Sequence, residues 1–125
     1  MSSWRVVRNA SNNEIVLAHA KVCSSFWCHL KGLQFSRKLP PDRGLWFINK
    51  HESRSQTSIH MFFVFFTIGV IWLDSSGRVV DKALAKPWRP YYAPQSPARD
   101  FIEALPGILD RVQVGDQLVF EDPAI

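Results

Sequence analysis

Five side chains in this sequence have the chemistry to hold something small: His60, Glu103, Arg37, Trp88 and Arg89. His60 is in period with Phe62, Val64 and Phe66, so on a strand it would share a face with three apolar side chains. Such an imidazole is either a core histidine satisfied by one backbone carbonyl or, because its proton is exchanged near neutral pH, a ligand or proton carrier. Glu103 lies between Ile102 and Ala104, and a partly buried carboxylate needs a partner, for which Arg37 and Arg99 are the obvious cations. It is then either half of a structural ion pair or a functional acid. Arg37, Trp88 and Arg89 add two guanidinium groups and an indole, a set suited to a groove that accepts a small polar or anionic ligand.

The constellations of known catalysis are absent from the sequence. No Gly-x-Ser-x-Gly occurs, so there is no nucleophile elbow. Glu103 and Asp74 would serve as a glycosidase pair only if they faced one another, and nothing in the spacing makes them do so. The six glycines are scattered and cannot cradle a phosphate. The leading expectation is therefore a non-catalytic small-ligand-binding domain whose groove is lined by His60, Arg37, Trp88, Arg89 and Glu103. No cofactor is implied. The alternative is a protein interaction or self-association module, since five tryptophans and nine phenylalanines exceed what a small core readily hides. An enzyme of unknown reaction using His60 and Glu103 is the third reading.

Two cysteines, Cys23 and Cys28, cannot build the disulfide framework of a small secreted domain, and four residues separate them where a redox motif has two. With His29 they supply three metal-binding groups but no fourth at zinc-like spacing. Packed thiols in a reduced cytoplasm are the expectation. It agrees with a start, Met1 to Arg5, that lacks the apolar stretch of a signal peptide.

The 125 residues carry a net charge of +4, and the excess is confined to one half. There are nine basic and three acidic residues through His60, then six basic and eight acidic. A basic half gathers anions, although Lys31, Arg37, Lys38 and Arg43 spread along a loop-like stretch and match no nucleic-acid motif. Expected partners are a small polar or anionic ligand, a protein or a second copy. Specific nucleic acid and a membrane span are not expected.

At 46% hydrophobic and 21% charged, the composition is that of one globular domain, taken as residues 1–125. The longest apolar run, Met61 to Leu73, is about 20 Å as a helix and too short for a bilayer. Its phenylalanines and β-branched residues predict strands, over 58–66 and 68–74, broken or bulged at Thr67-Ile68-Gly69, where the isolated glycine marks either a bulge or a close backbone approach. Trp4 to Arg8 and Glu14 to Lys21 read as a hairpin across Asn9 to Asn13. A short helix over Phe26 to Lys31 would end at Gly32 in the left-handed conformation. Pro40 to Gly44 turns into a strand over Leu45 to Ile48, and His51 to Thr57 reads as a polar loop. Asp74 to Gly77 predicts a second hairpin turn into a strand over Arg78 to Ala85. The stretch Pro87 to Pro94 should run extended with its aromatics folded onto the sheet. Ala98 to Leu105 fits helix and strand equally, and Gln117 to Glu121 is the last strand. The fold class is mostly β, α+β, a compact barrel-like or curved antiparallel sheet with one or two short helices.

The order Gly32-Leu33-Gln34-Phe35-Ser36-Arg37, Gly44-Leu45-Trp46-Phe47, Ser58-Ile59-His60-Met61-Phe62-Phe63, Val70-Ile71-Trp72-Leu73-Asp74, Phe101-Ile102-Glu103 and Gly115-Asp116 resembles the bacterial and archaeal domain-of-unknown-function family one-nine-two, over about residues 15–121. The resemblance implies a small, mostly β domain with no established activity, an extended Phe101 to Leu105 and a short helix near Pro106 to Arg111. It places a histidine at position 60 and retains Glu103. Where family members of this branch carry Arg, Pro and Asp, this chain has Phe65, Thr67 and Gly69, and Gln34 stands in the place of a methionine. A family site built on that Arg and Asp is absent here.

Overall fold

A computed structural model describes residues 4–24, 28, 32–33 and 39–123. Seven strands form one sheet: β1 (Trp4–Asn9), β2 (Glu14–Cys23), β3 (Arg43–Ser53), β4 (Ile68–Leu73), β5 (Val79–Ala85), β6 (Ala98–Ala104) and β7 (Leu118–Glu121), with a 3₁₀ helix over Pro106–Arg111. Their spatial order is β5-β4-β6-β3-β2-β1-β7. The pairs are antiparallel except β2 with β3, which run parallel with His19 opposite Arg43 and Cys23 opposite Phe47. A parallel pair needs a crossover rather than a tight turn, and the segment between Cys23 and Arg43 supplies it.

The sheet curls into a half-barrel. Its two edge strands meet at one end, where Val79 donates to the Asp116 carbonyl at 2.9 Å and Leu118 to the Gly77 carbonyl at 2.9 Å. Curling gives the sheet an inner and an outer face, each with its own apolar cluster. The inner cluster draws Val7, Leu17, Ile71, Leu73, Ile102 and Leu118 together with Ile108 from the 3₁₀ helix. The outer cluster holds Phe47, Ile68, Val70, Trp72 and Phe101 beneath Leu33, Ile59, Met61 and Val64. Strand β4 is buried at all six positions because its alternate side chains feed both clusters.

That two-sided burial explains the long apolar run. Its second half is β4, as expected. Its first half is not a strand: the predicted strand over 58–66 is a single bridge at Ile59 followed by a turn at Phe62 and Phe63, and it lies over the outer face. Apolar content serves a covering segment as well as a strand, and the two are indistinguishable by composition. Gly69 sits at a close approach, not at a bulge. A Cβ there would come within 2.8 Å of Ile108 and 3.0 Å of Leu109, so its missing side chain is what lets the 3₁₀ helix pack down on β4.

Other expectations met different outcomes. β3 runs on through Ser53, so His51 to Ser53 are strand rather than loop. Ala98 to Ala104 is extended and the 3₁₀ helix follows it, as the resemblance implies. The expected helix over Phe26 to Lys31 lies outside the described residues apart from Cys28, which is helical and whose carbonyl accepts the Gly32 N–H at 2.8 Å. Gly32 itself has the expected left-handed conformation, φ +49°. Cys23 and Cys28 are joined as a disulfide, which corrects the reading as packed thiols. Their Cα atoms lie 5.5 Å apart, a proximity that cysteine counting does not register.

Candidate functional site: an aromatic cap on the outer face

The segment after β3 is pinned to the outer face by Trp72, whose indole N–H donates to the Thr57 carbonyl at 2.7 Å. From there it exchanges backbone hydrogen bonds with the proline-rich segment that follows β5. Ile59 and Tyr92 bond reciprocally at 2.8 and 2.9 Å, Met61 donates to the Arg89 carbonyl at 2.8 Å, and Trp88 donates to the Met61 carbonyl at 2.8 Å. Prolines 87, 90 and 94 deny this segment a place in the sheet, and the bonds to 59–61 satisfy two of the donors that remain, the N–H groups of Trp88 and Tyr92.

Both segments turn at this contact. Phe63 and Trp88 have positive φ, 61° and 66°, a conformation that bulky residues avoid. The turns throw a set of rings outward: Phe62, Phe63, Phe65, Trp88 and Tyr91 are 42, 44, 49, 48 and 64% exposed. Trp88 packs between Phe63 and Phe65, with ring centroids 5.1 and 5.9 Å away. Met61 and Val64 alternate with these residues and point the other way, into the core. The expectation that the aromatics of Pro87 to Pro94 fold onto the sheet therefore holds only in part: Tyr92 is half-buried and its hydroxyl accepts the Lys86 N–H at 3.0 Å, whereas Trp88 and Tyr91 face solvent.

His60 is exposed on the same cap, which overturns its reading as a core histidine. The turn at Phe62 breaks the period-two alternation on which that reading relied. Its ring lies 5.2 Å from that of Phe62, and its Nδ1 accepts the Phe62 N–H at 3.3 Å. Of the five sequence-predicted residues, the structure thus gathers His60, Trp88 and Arg89. Arg37 lies outside the described residues.

Glu103 belongs to a different place. It is 8% exposed on β6, opposite Leu45 and Val70, and a Cβ built on Gly32 would stand 3.7 Å from its Oε1 and 3.5 Å from Phe47 Cζ. Burial pushes its carboxyl up to about 8, so it is largely protonated at neutral pH. Arg99, one of its two expected partners, bonds Asp100 instead, at 2.8 and 3.0 Å. Successive residues of a strand point to opposite faces, but the long arginine side chain wraps back to its neighbour. Asp100 also accepts the Trp46 indole N–H at 3.0 Å, and the hydrogen bond from Arg99 to Asp100 holds that guanidinium in its charged form.

Two clefts lie away from all of these residues. One, about 170 Å³, runs between Val16, Leu17, Leu105, Ile108 and Arg111. The other, about 180 Å³, is lined by Trp4, His19 and Arg43. There the Arg43 guanidinium sits 5.6 Å from the Trp4 ring centroid and His19 Nδ1 lies 3.2 Å from Asp42 Oδ2. Sequence reasoning missed this cluster because only the parallel β2–β3 register brings position 19 beside 43. Among the described residues no three His, Cys, Asp or Glu side chains gather as a metal site, and no helix is long and apolar enough to cross a membrane.

The fold and much of the sequence recur elsewhere. A UPF0127 protein of Thermococcus sibiricus is 35% identical over 115 residues, 90% of this chain and 73% of the relative. The UPF0127 protein PH1112 of Pyrococcus horikoshii is 36% identical over 115 residues, 90% of this chain and 96% of its own length. Among solved structures, a Sinorhizobium meliloti protein proposed to be a transcription regulator superposes with a TM-score of 0.81 at 20% identity, covering 94% of this chain and 92% of that one. That likeness is one of fold. The chain belongs to the DUF192 family, "Uncharacterized ACR, COG1430", whose model matches residues 7–120.

Proposed function

We propose that this domain is a non-catalytic docking module that works through the aromatic cap. One observation carries the reading: five large rings are exposed on two segments that are bonded to one another and anchored through Met61 and Trp72 in the core, and three of them, Phe63, Phe65 and Trp88, pack together. Exposed aromatic clusters of this kind mark interaction surfaces. Two further features favour a functional origin, since Phe63 and Trp88 hold a positive φ at some cost where glycine would hold it at none. The measurement is the fluorescence of an apolar dye bound by folded protein. Wild type is expected to bind it, and Phe63→Ser/Trp88→Ser to lose that binding with its circular dichroism unchanged. Equal dye binding by both proteins overturns the reading.

A small-ligand site is the second reading, favoured by Glu103. A protonated carboxyl is a hydrogen-bond donor, and here it stands beside Phe47 and Gly32 with no cation on it among the described residues. On the same strand face as Phe47, the amide nitrogen of Asn49 is buried and has no acceptor among the described residues. Native mass spectrometry of wild type and Glu103→Leu protein, which has no donor at this position, tests this: a small molecule carried by the first and absent from the second is the expected result.

A further inference from the structure

We propose that the occupant of the aromatic cap is an anionic lipid surface, into which Phe62, Phe63, Phe65, Trp88 and Tyr91 insert while Lys86 and Arg89 meet the headgroups. This rests on the docking reading above.

Charge points to it first. The two stretches that contain the cap, 54–73 and 82–99, have no aspartate or glutamate, although the whole chain has eleven. They carry Arg54, Lys82, Lys86, Arg89 and Arg99. Three of these are engaged elsewhere: Lys82 on the carbonyls of Leu109 and Val112, Arg99 on Asp100, and Arg54 on the Pro94 carbonyl. Lys86 and Arg89 are exposed within the cap itself, with no ion pair among the described residues. The carboxylate of Asp81, on β5, is occupied by the Gln95 N–H at 2.9 Å. An apolar tip that carries Lys86 and Arg89, and no acidic residue in its own two segments, complements an apolar layer beneath negative headgroups.

Shape points the same way. At their observed exposures the five rings present roughly 500 Å² of surface, given side chains that bury 150–250 Å² when fully covered. A stable protein interface buries about 800 Å² on each partner, its polar rim included, so the rings alone would make up the apolar part of one and area by itself does not decide the occupant. The tips are turns rather than a flat face or groove, and a bilayer accepts protruding rings without a matching pocket. Tryptophan and tyrosine are the side chains that settle at membrane–water interfaces, the apolar ring inward and the polar atom out.

The experiment is co-sedimentation of the full chain with vesicles of phosphatidylcholine alone and of phosphatidylcholine with phosphatidylglycerol, alongside sedimentation velocity without lipid. Wild type is expected to bind the phosphatidylglycerol vesicles and to release as salt is raised. Phe63→Ser/Trp88→Ser should bind at least about tenfold more weakly, as should Lys86→Glu/Arg89→Glu, whose core is untouched. Equal binding to both vesicle compositions, or none to either, overturns the proposal. If lipid binding fails while dye binding still depends on the cap, the docking reading stands and its occupant is not a membrane. A wild type that self-associates through the cap would identify that occupant as a second copy. Loss of the dye effect as well removes both.

Discussion

The carbonyl of Met61 accepts two backbone N–H groups, from Val64 at 3.2 Å and from Trp88 at 2.8 Å, while the Met61 side chain is fully buried in the outer cluster. One residue thereby closes the turn that presents Phe62 and Phe63, holds the turn that presents Trp88, and fastens both to the sheet. The exposed rings are thus mounted on a rigid base rather than on free loops, which is what a repeatable docking surface requires.

Because their conformation favours glycine, the tips of the cap can be changed without loss of fold. Phe63→Gly and Trp88→Gly each remove a large ring but relieve a left-handed strain of about 1 kcal/mol, so stability in urea should stay within about 1 kcal/mol of wild type. A loss of 3 kcal/mol or more, the cost of truncating a core aromatic, would show that the ring belongs to the core.

Gly69 should tolerate nothing larger. The Cβ of Gly69→Ala would meet Ile108 at 2.8 Å and Leu109 at 3.0 Å, with the Leu105 carbonyl at 3.3 Å, so the 3₁₀ helix must lift from β4. Overpacking of this kind costs about 1–3 kcal/mol. Denaturant titration of Gly69→Ala measures it. Gly69→Asp should be worse still, because a carboxylate would enter the inner core.

The sheet was legible where one cue decided between alternatives. Hairpin turns at Asn9 to Asn13 and at Asp74 to Gly77 fixed β1 with β2 and β4 with β5, and the Asp74 turn shows why. Burial pushes the Asp74 carboxyl up, but the Ser76 hydroxyl and the backbone N–H groups of Arg78 and Ser76, with the Arg78 charge, outweigh it and bring the group below its usual range. Such local chemistry is written in five adjacent residues, Asp74 to Arg78. The cap was not legible, because a covering segment and a buried strand draw on the same apolar residues, and only the reciprocal bonds between Ile59 and Tyr92 distinguish them. Glu103 was recognised as buried from its apolar neighbours, yet Arg99 turned back to Asp100, a choice made by side-chain reach and not by position in the chain. The Trp4, His19 and Arg43 cluster depended on a parallel register that no local signal announces.

Reducing the Cys23–Cys28 bridge should weaken the fold modestly. It closes a loop with a sequence separation of 5, for which loop-closure entropy predicts about 2 kcal/mol. Urea unfolding with and without dithiothreitol reads this directly, and Cys28→Ser should reproduce the reduced value. No difference between oxidised and reduced protein would mean that packing around Cys23 already fixes the crossover.

Glu103 makes stability depend on pH in a direction opposite to that of most carboxylates. Its folded value of about 8 lies above its ordinary 4.5, so between those limits the folded chain holds a proton that the unfolded chain has released. Stability is therefore greatest, as far as this group is concerned, below about pH 4.5, and falls as pH rises toward 8, beyond which the loss is complete. A displacement of this size corresponds to several kcal/mol across the window. Glu103→Gln keeps the shape and a donor but cannot ionise, so its midpoint in urea should be flat from pH 5 to 8 and should exceed that of wild type at pH 8. If the two proteins instead show parallel pH profiles, a cation neutralises the buried carboxylate in the folded state, and Arg37→Gln protein would then be the next to measure.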